Sequence, residues 1–296
     1  MSKRRNVTDD GHPIKISMPR LRQPTTHCLA ALCATSILLQ AAAPLTAQER
    51  FFPSEQAERD EIETDRDSFT FATSTAGPRR TIVETSYSFI DNRVGPESHS
   101  LPELLVRRGF GDWFEARLGW NYEAGGPGTA SGNEFGGEDL VTETEAKFLY
   151  GGKFKTSTQQ GLRPASAFIV QGYTPTAGPA NTSSIVAGEA FGWTLPNGWV
   201  WDTAMRYASG NERGDSFAQW APSTVLKIPV GERWSVHAEY FGIMSSGKET
   251  PIQQHFSSFG GHVLVKKNLE LGIRFGFGIN QEAPRFFNNI GVGWRF

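Results

Sequence analysis

This 296-residue chain holds two cysteines, Cys28 and Cys33, and both lie among its first 47 residues. Everything downstream is cysteine-free, which excludes a disulfide scaffold or a thiolate metal site there. Long apolar runs are equally scarce. Only Cys28–Ala43 is almost wholly apolar or small, and it falls short of the ~20 residues a spanning helix needs. Positive charge is not in excess either. Six of the 29 Lys/Arg and two of the 31 Asp/Glu lie in the first 47 residues, leaving 23 basic against 29 acidic and a net charge of −6 beyond them. That balance argues against a nucleic-acid partner.

Arg20 and Arg22 precede the apolar run and Leu45-Thr46-Ala47 follows it. This is the order of a secretory signal cleaved before Gln48. Leu32 directly precedes Cys33 and His27 precedes Cys28, so neither cysteine sits in a lipoprotein-type box. Residues 1–17 are polar and add nothing a signal needs, so Met18 would serve equally well as a start. Residues 1–47 are therefore expected to leave as an N-terminal extension and cleaved signal peptide. Residues 48–79 differ in kind. Gln48–Asp67 is densely acidic, as solvated tails are, whereas Phe69 and Phe71 within Thr64–Thr73 suit a partly ordered piece. An acidic periplasmic segment and a partial lumenal plug are both open.

Glycine recurs through the remainder, too often for stable helices, while apolar and polar residues alternate with the period of a strand. Phe114, Ala116, Leu118, Trp120 and Tyr122 oppose Glu115, Arg117, Gly119 and Asn121. Trp199, Trp201, Thr203, Met205 and Tyr207 oppose Val200, Asp202, Ala204 and Arg206. Twelve such segments are expected, at about 80–90, 101–109, 113–122, 139–150, 163–173, 183–194, 198–209, 216–229, 233–245, 254–266, 269–279 and 286–296. Pro222 cannot donate to a ladder and is expected to mark a bulge or a strand end. Tight links near 109–113, 196–198, 230–233 and 266–268 alternate with longer ones, apart from a longer link at 151–162. A soluble sandwich has no reason to keep that asymmetry, whereas outer-membrane barrels do, with short periplasmic turns and longer external loops. Alternation also cancels hydropathy, so a mean of −0.37 is no bar to a membrane. The expectation is an all-β fold: a transmembrane antiparallel up-and-down barrel of about twelve strands over residues 80–296.

The last segment, FFNNIGVGWRF, resembles the C-terminal strand of bacterial outer-membrane barrels. That resemblance makes Trp294 and Phe296 the assembly signal read by the barrel-assembly machinery. Thr64–Phe89 (TDRDSFTFATSTAGPRRTIVETSYSF) and Leu101–Trp120 (LPELLVRRGFGDWFEARLGW) go further. A Thr-Asp-Arg box, a short aromatic strand, a strand with Glu84 and Tyr87, then Glu103, Arg107 or Arg108, Gly109 and Glu115 resemble the outer-membrane family named for the meta-pathway of phenol degradation. Asp67 stands where many members have proline. The resemblance implies an outer-membrane transporter or channel and says little of its cargo.

Glu84, Glu103, Arg107, Glu115, Arg117, Glu143, Glu145, Asp202, Arg206, His237, Glu239 and Arg274 fall on the small or polar faces and are the lumen candidates. They would form either a charged constriction that filters solutes or a paired network filling a narrow barrel. No Ser-His-Asn spacing stands out, so no catalytic residue is assigned, although an outer-membrane lipid hydrolase and a non-conducting structural or adhesive barrel are rivals. Gly276 and Gly278 in RFGFGIN sit in a strand, not before a helix, and are no dinucleotide loop. The acidic residues 55–67 lack the spacing of a calcium loop. No cofactor and no metal are expected. The partners are outer-membrane lipid and a small solute, aromatic or otherwise apolar compounds among the candidates. Mass spectrometry of the mature protein should find Gln48 at its amino terminus and no trace of Cys28 or Cys33; an intact terminus in the outer-membrane fraction would contradict the signal.

Overall fold

A computed structural model describes residues 61–126, 144–212, 215–248 and 251–296. The expected signal, residues 48–60 and Glu143 lie outside the described residues. Twelve strands form among those described: β1 (Thr81–Asp91), β2 (Ser98–Gly109), β3 (Phe114–Gly125), β4 (Thr144–Ser157), β5 (Ala165–Ala177), β6 (Ser184–Thr194), β7 (Val200–Glu212), β8 (Asp215–Val230), β9 (Trp234–Ser246), β10 (Gln253–Lys266), β11 (Leu269–Gly278) and β12 (Phe286–Arg295). Each pairs antiparallel with its neighbours in sequence, and β12 closes on β1. Closure satisfies every strand edge, which the bilayer core requires. At the seam the Phe296 amide donates to the Thr81 carbonyl (2.8 Å) and the Thr81 amide donates back (3.3 Å).

The period of two sorts the side chains. Along β1, Ile82, Glu84, Ser86, Ser88 and Ile90 are buried while their neighbours are half-exposed. Outward residues such as Leu118, Ile185, Phe259, Leu271, Ile273 and Ile290 are exposed and apolar. Such a band is energetically reasonable only against lipid. Aromatic pairs border it near the short turns, with Phe114–Phe154 centroids 4.8 Å apart, Trp193–Trp201 5.1 Å and Trp294–Phe296 4.4 Å. Tyr207–Trp220 and Phe277–Phe286 lie at the other, loop end. These are the two girdles of a membrane barrel.

Three expectations need correction. The fourth strand, expected to end at 150, spans Thr144–Ser157 among the described residues. Gly151-Gly152 reads as a break, yet pairing continues straight through it to Phe154 and Lys155; the glycine makes room for the neighbouring strand, since a Cβ at Gly151 would meet the Val170 carbonyl oxygen at 2.2 Å. The longer link shrinks accordingly to 158–164. The link at 210–215 is largely strand, since β7 and β8 pair as far as Glu212 and Asp215. Pro222 marks neither a bulge nor an end. It lies inside β8 opposite Met205, and the register with β9 is the same before and after it.

Leu118 is 52% exposed on the outer face, so Leu118→Arg should cost about 2–4 kcal/mol if it meets the bilayer midplane. Urea titration of the barrel in liposomes measures this, and an unchanged midpoint would contradict the assigned outer face.

Candidate functional site

Residues 61–76 precede β1 and lie inside the ring of strands. A segment there has its backbone amides removed from water, and each needs a partner. The wall supplies them. Glu84 accepts the amides of Asp65 (3.0 Å) and Arg66 (3.1 Å). Glu239 accepts those of Phe69 (3.1 Å) and Thr70 (2.7 Å), together with the Thr70 hydroxyl (2.8 Å). Glu115 takes the amide of Ala76 (2.6 Å). In the opposite sense Arg107 donates to the Glu63 carbonyl (2.8 Å), Lys153 to that of Ala72 (3.2 Å) and Arg206 to that of Phe69.

Asp65 is the centre of the arrangement. Its carboxylate meets Arg117 at 2.5 Å, Lys153 at 2.6 Å and Arg107 at 3.8 Å, all of them buried. Arg107 also pairs with Glu84 (2.9 Å) and Glu115 (3.0 Å), and Arg117 with Glu115 (2.7 Å). Three cations thus face three carboxylates, one of them contributed by the plug. Burial alone would raise the Asp65 carboxyl, but Arg107, Lys153 and Arg117 outweigh it and hold it well below the usual carboxylate range. It therefore stays ionised through mildly acid conditions.

Glycines make the room. A Cβ on Gly293 would meet Thr64 Cγ2 at 2.2 Å, and one on Gly291 would meet Arg66 Nη1 at 2.9 Å. The small face of the last strand is small because the plug lies on it.

Above the ionic layer, towards the loop end, the lumen turns apolar. Along β9 the inward residues step from His237 and Glu239 to Phe241 and Ile243. Phe69 of the plug stacks on Phe241 (4.3 Å), Phe241 on Phe256 (4.6 Å), and Phe256 meets Phe287 edge-on (6.1 Å). Ile90, Leu105, Leu149 and Tyr173 belong to the same cluster. The Arg206 guanidinium lies 4.4 Å from the Phe69 ring centre, and that of Arg274 lies 5.0 Å from Phe287. On the turn side of the plug is a cavity of about 830 Å3, with Asp67, Asp202, Lys227, His262 and Glu270 in its lining.

Of the lumen candidates, Glu84, Arg107, Glu115, Arg117, Arg206 and Glu239 all grip the plug. Arg274 joins them through Glu239 (3.3 Å). Glu103 instead accepts from Ser86 (2.7 Å) and Asn289 (3.0 Å), and Glu145 pairs with Lys147 (2.8 Å). Asp202 lines the turn-side cavity, and His237 is buried. Sequence reasoning missed Asp65 and Lys153. The signal for Lys153 was the alternation of Glu145, Lys147 and Leu149 carried across the double glycine. Among the described residues, the outward histidines have tyrosine and glutamine partners. His99 bonds Tyr87 (2.8 Å), and His255 bonds Tyr240 (2.8 Å) and Gln253 (3.2 Å).

A closed twelve-stranded barrel with an apolar belt, two aromatic girdles and a polar-gripped plug is a barrel of the bacterial outer membrane. The chain belongs to the family described as "Putative MetA-pathway of phenol degradation", whose model matches residues 64–296. Among solved structures it is similar to an outer membrane channel from Pseudomonas putida F1, at 11% identity and a TM-score of 0.52, covering 79% of this chain and 100% of that one. The translocator domain of the autotransporter NalP from Neisseria meningitidis is similar at 13% identity and a TM-score of 0.46, covering 73% and 88%. No curated protein matches the sequence.

Removing one partner of a buried ion pair costs about 3–5 kcal/mol. Asp65→Ala, which leaves three cations facing two carboxylates, should therefore loosen the plug while the barrel persists. Gly293→Val, which displaces Thr64 from Glu270 but removes no charged side chain, should do the same. Limited proteolysis between residues 61 and 76, with heat-modifiability on a gel as the check on the barrel, measures both. Unchanged resistance in both variants would contradict the plug's anchoring.

Proposed function

We propose that this protein is a gated outer-membrane channel or transporter for small solutes, with aromatic or otherwise apolar compounds as its cargo. The observation that carries the proposal is the division of the lumen. A plug held by hydrogen bonds and charges occupies the turn side, which is the periplasmic side in such barrels, and a packed aromatic layer lies towards the loops. A solute that loses little on leaving water is the kind that crosses such a layer, and cation–π and ring-stacking contacts there favour planar molecules. Passage requires the plug to yield. Its grip is strong in sum but built of separate hydrogen bonds and ion pairs, which open locally far more readily than a barrel wall. The family resemblance and the similarity to a channel from Pseudomonas putida F1 agree with this reading. A lipid hydrolase of the serine type would need a serine hydroxyl within reach of a histidine on the outer wall, and the tyrosine and glutamine partners of His99 and His255 favour the channel instead.

Planar-bilayer recording tests the proposal. The wild-type barrel should show rare openings, and Asp65→Ala should raise the open probability and favour anions, because the wall alone carries Arg107, Arg117 and Lys153 against Glu84 and Glu115. In liposome-uptake assays, small aromatic acids should enter faster than sugars of equal size. Absence of conductance in both proteins would contradict the channel. Release of fatty acid by the purified protein would point to the hydrolase.

A further inference from the structure

His237 on β9 and His262 on β10 reach into the lumen from neighbouring strands, and Asp67 meets them from the plug. Each of the three offers an atom within 4.8 Å of the others'. His262 Nδ1 lies 3.5 Å from Asp67 Oδ2, close to the edge of about 3.4 Å that a tetrahedron with bonds near 2.1 Å would have. What makes the group unusual is what it lacks. Both ring nitrogens of His237, Nδ1 of His262 and Oδ1 of Asp67 are buried and have no hydrogen-bond partner. His237 is only 4% exposed. Buried polar atoms are nearly always paired, and three neighbouring side chains that each leave at least one unpaired call for a shared partner. Packing holds His237 in place, because its ring lies over Gly260, where a Cβ would come within 2.4 Å of Cε1.

We propose that Asp67, His237 and His262 bind a divalent transition metal of the zinc, cobalt or nickel class, which ties the plug to the barrel wall. Two imidazoles and one carboxylate suit these borderline ions rather than calcium or magnesium, which prefer all-oxygen sites. The three ligands leave a fourth position for water, and the turn-side cavity that Asp67 and His262 line is the route of entry. Glu270 Oε2 is 4.0 Å from His262 Nε2. It stands where a carboxylate orients a ligating imidazole through its other nitrogen. Lys227 competes for Asp67 at 3.6 Å but is also 4.0 Å from Glu63, a second carboxylate able to take its charge when Asp67 turns to a metal. The site joins two elements that hydrogen bonds, ion pairs and ring packing otherwise hold together, so metal occupancy adds to the closed state.

The test is titration of the purified, tag-free, full-length mature barrel with cobalt chloride, followed by visible absorption. The wild type should bind one cobalt per chain with the intense bands of a four-coordinate ion, and zinc should displace it. His237→Ala and His262→Ala should each weaken binding by at least about 10–100-fold, the loss seen even for outer partners of a metal site. His255→Ala, on the outer wall, should bind as the wild type does. If a histidine variant does not fold, Asp67→Asn decides, since it keeps both rings and the side-chain size. The proposal is overturned if the wild type binds no cobalt, if either folded histidine variant binds as the wild type does, or if Asp67→Asn leaves the affinity unchanged.

Discussion

The structure depends on one constraint: a stretch of chain inside a membrane barrel must find a partner for every amide it brings and for every charge it buries. Carboxylates of the wall meet the first demand, accepting five plug amides through Glu84, Glu115 and Glu239. Hydrogen bonds to charged groups are worth about 1.5–3 kcal/mol each, more than neutral ones, so a short segment with few apolar residues can still be held. Asp65 meets the second demand. Without it the cluster around it would bury Arg107, Arg117 and Lys153 against only Glu84 and Glu115, and an unpaired buried charge costs more than any single contact here can return. Wall and plug are therefore complementary parts of one network.

That network explains the uneven lumen. Charge is concentrated where the plug lies, and the aromatic layer begins where Phe69 ends it. The glycines of β12, β11 and β6 are the steric counterpart: Gly293 faces Thr64, Gly272 faces Arg66 and Gly188 faces Phe71. A barrel of this strand number could be packed solid or left open. Here it is filled by a segment that comes from its own amino-terminal side, which makes opening a matter of displacing that segment rather than deforming strands.

The barrel was legible in the sequence because alternation and link lengths are local signals, repeated along the whole chain. Glu115 with Arg117 and Asp202 with Arg206 were placed on the inner face for that reason alone. Their partners were not legible. Asp65 is 42 residues from Arg107, 52 from Arg117 and 88 from Lys153, and nothing local in an acidic stretch separates a carboxylate bound in the lumen from one left in solvent. The charged faces were equally consistent with a filter, because pairing across a lumen leaves no periodic trace. Boundaries failed where glycine or proline carries two meanings. Gly151-Gly152 and Pro222 resemble breaks, yet in a closed sheet the first gives space to a neighbouring strand and the second sits without a change of register.

Hydrogen exchange of the folded barrel in detergent, read peptide by peptide by mass spectrometry, tests the central claim most directly. The account predicts that the amides of Asp65, Arg66, Phe69, Thr70 and Ala76 are protected far beyond their unstructured rates, and that this protection is lost before that of the strands as conditions become destabilising. Exchange of residues 61–76 at the rate of an unstructured chain, beside protected strands, would contradict it.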